Sequence, residues 1–163
     1  MTSSKDWQRL FKSDDRAIRI RAAAAMLKRD DTPNEVLLEI LDHYSQDGLG
    51  AATERALLNR NGNEFFQPMV DRLDSSDDFV REVACRMLGN SGNVNATPFL
   101  LAMLDDPHMM VRRAAGIGLG ALRDPNALDQ LKNNLESGRK DDVNVRWALE
   151  RAIRDLDSGQ VNE

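Results

Sequence analysis

Val111-Arg112-Arg113-Ala114-Ala115-Gly116-Ile117-Gly118-Leu119-Gly120-Ala121-Leu122-Arg123-Asp124-Pro125 decides the fold, because its pattern returns along the chain. Its anchors are Val111-Arg112, Ala115 and Leu119-Gly120. Val80-Arg81, Ala84 and Leu88-Gly89 repeat them 31 residues earlier. Two further steps of 31 reach Leu49-Gly50, Thr53 and Leu57-Leu58, then Ile18-Arg19, Ala22 and Met26-Leu27. Forward of Val111 the step is 34, to Val145-Arg146, Leu149 and Ile153, so three residues are inserted near Glu136 to Asp142. A second apolar register keeps the same period through Trp7, Leu38, Met69, Leu100 and Leu131. Four residues on, Phe11, Leu73, Leu104 and Leu135 keep step, while the second copy has Asp42 beside Leu41. Two registers at one period establish an internal repeat.

Each unit holds two helical patterns. Apolar residues at steps of four, starting from Val80 or Val111, line one helix face, and the second register lines another. Breakers separate them: Asp30-Asp31-Thr32-Pro33, Asn61-Gly62-Asn63, Asn90-Ser91-Gly92-Asn93 and Arg123-Asp124-Pro125-Asn126. Capping residues precede each first helix, as in Ser13-Asp14-Asp15, Ser45-Gln46-Asp47, Ser75-Ser76-Asp77 and Asp105-Asp106-Pro107. No stretch alternates long enough for a strand. The pattern predicts one all-α domain over 1–163 with about ten helices. A cap helix at 5–12 comes first, then repeats at about 13–44, 45–75, 76–106 and 107–137, then a terminal helix at about 143–156.

The bulk properties narrow the function. The 163 residues are 41% hydrophobic, 30% charged and 5% aromatic, which suits Ala/Leu-rich helices. A net charge of −5 argues against the large basic surface that nucleic acid demands. Cys85 is the single cysteine, so neither an intramolecular disulfide nor a cysteine-based zinc site can form. The polar start, Met1 to Lys12, lacks the apolar run of a signal peptide. A cytoplasmic protein without a membrane span is expected.

Val111 to Pro125 resembles the HEAT-like repeat named after phycobilin lyases: an acidic lead-in, Val-Arg, Ala, Leu-Gly and an Asp-Pro turn. Val80 to Gly89 is similar. Copies two and five depart, with Gly50, Thr53 and Leu149. The resemblance spans about Asp14 to Leu156. It implies a right-handed α–α superhelix, armadillo-like in build, whose second helices line a concave surface. Members of this family are mostly protein-binding scaffolds, and some are chromophore lyases. One branch hydroxylates deoxyhypusine through His-Glu iron ligands. Here His43 precedes Tyr44 and His108 precedes Met109, so that motif is absent.

No Ser/His/Asp or Cys/His set, phosphate loop or metal spacing is present. The expectation is a non-catalytic module with no cofactor and no metal. The recurrent Arg19, Arg81, Arg112 and Arg146 read as a structural ladder rather than an anion site. Arg21, Arg55, Arg86, Arg113 and Arg151 offer a basic stripe on the first helices. Glu54, Glu82 and Glu150 interrupt it, as on a solvated face. The outward positions of the second helices are the candidate partner-binding row. They are Val36, Ile40 and His43; Gln67, Asp71 and Asp74; Pro98, Ala102 and Asp105; and Asp129, Asn133 and Glu136. Val70 and Leu101 lie beside the row. Its apolar end and acidic edge fit a peptide or helix with apolar and basic groups. An ordinary acidic surface is the alternative. Trp147 is out of pattern, either an interface anchor or a cover for the open end. The expected partner is a protein or peptide, with the chain itself a monomer or weak dimer. A chromophore-handling role is the alternative function, and nucleic-acid binding through the arginine-rich face is the third.

Overall fold

The computed structural model describes residues 4–60, 62–137 and 143–159. It divides into two compact units, Met1–Arg60 and Asn61–Glu163. Unit 1 holds α1 (Ser4–Phe11), α2 (Arg16–Met26), α3 (Asn34–Tyr44) and α4 (Gly50–Leu58). Unit 2 holds α5 (Phe66–Arg72), α6 (Asp78–Asn90), α7 (Thr97–Ala102), α8 (Met109–Leu122), α9 (Leu128–Ser137) and α10 (Val143–Gly159). The expected all-α order of about ten helices is thus present. The cap helix lies one residue earlier than expected, and the last helix runs three residues longer. Most of the insertion near 136–142 lies outside the described residues.

The helix starts follow from their caps. The Asp15 and Asp77 carboxylates accept from Ala17 N and Phe79 N at 2.8 and 2.9 Å. Each satisfies a first-turn amide that has no intrahelical partner. Asp124 does the same for Asn126 N at 3.0 Å ahead of α9. The left-handed turn after α8 falls on Arg123, at φ 53, and its repeat equivalent after α6 is Gly92, at φ 67.

The core of unit 1 joins Phe11, Ala22, Ala23, Met26, Ile40 and Tyr44, and the Phe11 and Tyr44 ring centroids are 5.4 Å apart. In unit 2 Val80, Ala84, Leu88, Val111, Ala115 and Leu119 of the first register are buried. So are Met69, Leu100 and Leu131 of the second. Burying the valine, leucine and methionine side chains among these stabilises by about 1.5–3 kcal/mol each, before chain entropy is counted. Within unit 2, α6 packs on α8 and α8 on α10 through residues too small to hold the helices apart. A Cβ added to Gly89 would lie 2.3 Å from the Gly118 Cα, and one added to Gly120 would lie 3.0 Å from the Ala152 Cα.

The arginine ladder proves structural at three of its four rungs. Arg19 donates to the carbonyls of Ser13 and Asp14 at 2.6 and 2.9 Å and to the Tyr44 hydroxyl at 3.1 Å. Arg81 donates to the Ser75 carbonyl at 2.8 Å and grips the Asp106 carboxylate with two bonds of 2.8 and 3.0 Å. Arg112 donates to the carbonyls of Asp106 and Pro107 at 2.9 and 3.0 Å. Arg146 instead pairs with Glu150 on its own helix at 2.9 Å.

Asp106 is the hub of this ladder, since its carboxylate also accepts from His108 N at 2.8 Å. The Arg81 and Asp106 side chains are only 11% and 4% exposed. Burial would raise the Asp106 carboxyl. The bonds from Arg81 and His108 N outweigh that and hold it below 3.8. Cys85 lies fully buried in α6, and desolvation pushes its thiol up to about 12.

Candidate functional site

The candidate row is divided between the units, and its first members do not behave alike. His43 is exposed and Val36 is half-buried. Ile40, expected to point outward, is fully buried in the unit 1 core. The cause is a one-residue slip in α3. Its buried face is Leu37, Ile40, Leu41 and Tyr44, where the 31-residue period had placed Leu38. A one-turn 3-10 segment precedes each of α5, α7 and α9, whereas α3 starts at Asn34 straight from Pro33. A one-residue slip turns a helix by about 100°, which carries Ile40 inward.

The remaining positions stand exposed in unit 2: Gln67 and Asp71 on α5, Asp74 just after it, Pro98 and Ala102 on α7, Asp105 in the following turn, and Asp129, Asn133 and Glu136 on α9. Gln67 donates to the Asp71 carboxylate at 2.7 Å. A cleft of about 460 Å³ between α7 and α9 gathers Pro98, Ala102, Asp105 and Asn133. It adds Leu101, Gln130 and Asn134. Gln67, Asp71, Asp74, Asp129 and Glu136 do not line it.

The repeat pattern missed an aromatic pair beside this cleft. Phe99 on α7 is 38% exposed and meets Phe66 of α5 edge to face, with centroids 6.4 Å apart at 76°. The signal was in the sequence, because Phe99 is a large apolar residue outside both core registers. The outer side of α7 therefore presents Pro98, Phe99, Leu101 and Ala102, with Phe66 and Val70 alongside on α5. Asp105 lies in the turn at the end of α7, and the exposed carboxylates of Asp71 and Asp74 stand on and just after α5, those of Asp129 and Glu136 on α9.

Charge sharpens the contrast between units. Met1–Arg60 holds ten basic and ten acidic residues, whereas Asn61–Glu163 holds twelve and seventeen, so unit 2 carries the entire excess of −5. The basic stripe is diluted. Arg86 pairs with Glu82 on α6 at 2.5 Å, and the Arg151 guanidinium lies 5.4 Å above the Trp147 ring. Trp147 itself stays 48% exposed. Among the described residues no group of three His, Cys, Asp or Glu could hold a metal ion, and no helix is long and apolar enough to cross a membrane.

Two-helix units at a 31-residue period, with turns held by arginine side chains, define an α-helical repeat protein. A family model described as HEAT repeats matches residues 66–154, more than half of the chain, and the chain belongs to that family. HEAT repeats typically mediate protein binding. The crystal structure of an engineered protein from the Northeast Structural Genomics Consortium is similar in fold, with a TM-score of 0.59 and 20% identity over 95% of this chain and 79% of that one. No curated protein matches the sequence.

Proposed function

We propose that this chain is a non-catalytic binding module, and that the α5–α7–α9 face of unit 2 takes an apolar, basic segment of a partner protein. The apolar strip of α7, together with five exposed carboxylates on or next to α5, α7 and α9, carries this reading. Apolar side chains would supply the buried centre of such an interface, and the carboxylates would select basic neighbours and speed encounter. Three of the ladder arginines, Arg19, Arg81 and Arg112, support this choice over nucleic acid. Their donors are already committed to turns of the fold.

A helical peptide of about 15 residues tests the reading, with leucines on one face bordered by lysines. It should bind the wild-type chain and shift the NMR signals of Phe99 and Ala102. Phe99→Ser and Asp105→Lys together should weaken it by at least about 30-fold, roughly 2 kcal/mol. Equal binding of a glutamate-bordered peptide at this face would remove the proposal. The α7–α9 cleft also falls within the range of about 300–1,000 Å³ typical of small-molecule sites. It makes chromophore handling, suggested by the resemblance to phycobilin-lyase repeats, the second reading. A titration with phycocyanobilin that left its absorbance unchanged would dispose of it.

A further inference from the structure

The first-register helices of unit 1 do not close on one another as those of unit 2 do. The close pair Gly89 and Gly118 has its repeat equivalents, 62 residues earlier, in Leu27 and Ala56. Two glycines let α6 and α8 approach until a single added Cβ would collide with backbone. A leucine and an alanine at the same positions cannot be accommodated at that separation, because interiors pack at fixed van der Waals distances. Leu27 and Ala56 instead line an open groove of about 290 Å³ between α2 and α4. Ala52 extends its apolar floor. Its charged lining groups are Lys28 and Arg55, both exposed cations, and Asn59 also lines it. Among the described residues no carboxylate pairs with either cation.

We infer that the α2–α4 groove is a second docking site, for an apolar helical segment that carries carboxylates. Apolar side chains of the segment would replace water over Leu27, Ala52 and Ala56. Its acidic groups would meet Lys28 and Arg55 at the border, the charge pattern opposite to that of the α7 strip. The balanced charge of unit 1 sets up no broad repulsion against an acidic segment. A nucleic-acid strand would find the two cations but would lose the use of the apolar floor.

The test uses the full chain with labelled alanine methyl groups. The probe is a helix of about 15 residues with leucines on one face bordered by glutamates. Its lysine-bordered and serine-for-leucine counterparts and a single-stranded oligothymidylate serve as comparisons. The glutamate-bordered peptide should shift the Ala52 and Ala56 methyl signals, and both changes in the peptide should weaken it. Lys28→Glu with Arg55→Glu should cost about ten-fold in affinity and make the lysine-bordered peptide the better ligand. Both sites of substitution are exposed, so the fold tolerates them. Ala56→Leu should fill the groove and block the peptide while leaving binding on α7 intact. Equal affinity of the two bordered peptides at the groove, read from the Ala52 and Ala56 methyl signals, overturns the inference, as does an absence of shifts there. Unchanged affinity after charge reversal, or stronger shifts from the oligothymidylate, does so as well.

Discussion

The α6–α8 seam and the α2–α4 pair are built from the same repeat, yet one is sealed and the other open. The difference comes down to Gly89 and Gly118 against Leu27 and Ala56. Small residues at one crossing let helices touch backbone to backbone, and larger ones hold them apart. A repeat protein can therefore choose, copy by copy, between a rigid seam and a groove. The same contrast runs through the turns. Arg81 grips the buried carboxylate of Asp106 with two charged bonds, whereas Arg19 meets the neutral hydroxyl of Tyr44 at the equivalent position.

The most direct way to break the comparison is to make the sealed seam resemble the open one. Gly89→Leu should destabilise unit 2 by about 3 kcal/mol or more, measured by urea unfolding, because the new side chain meets backbone rather than a yielding side chain. Asp106→Asn should cost about 3 kcal/mol, since it leaves the Arg81 guanidinium buried without its counter-charge. The matching change in unit 1, Tyr44→Phe, removes one neutral acceptor and should cost only about 1 kcal/mol.

The two turns should also part in acid. The folded Asp106 carboxyl lies below its ordinary 3.8, so the unfolded chain takes up that proton first as the pH falls. Its stabilisation is complete above about pH 5 and is lost through the region below 4. Urea midpoints of the wild type should fall there, and those of Asp106→Asn should lack that component. The last effect is a gain. Arg123 holds a left-handed conformation that Gly92 holds without strain, so Arg123→Gly should raise stability by about 1 kcal/mol.

The sequence carried the period, the paired helices and the role of the arginines, because each repeats and each has a local physical cause. Periodicity failed in α3, where the missing 3-10 turn after Pro33 shifted the helix by one residue and buried Ile40. A period gives the average phase of a helix but not a slip at its start. The α7–α9 cleft was legible in part. Pro98, Ala102, Asp105 and Asn133 came from spacing, while Leu101, Gln130 and Asn134 depended on how two helices lie side by side. Phe99 was visible as an aromatic outside the registers but carried no sign that Phe66 would meet it. The exchange of Gly89 for Leu27 was equally plain in the alignment of copies. Its meaning required the distance between backbones.

Asp106 serves two successive repeats at once, its carboxylate held by Arg81 and its carbonyl by Arg112. In a linear array, stability divides into the worth of each unit and the coupling between neighbours. A shared residue of this kind loads the coupling. Helices α6 and α8 should then exchange their amide hydrogens with one common protection, as a single cooperative block, and uncoupling them through Asp106→Asn should let each open on its own.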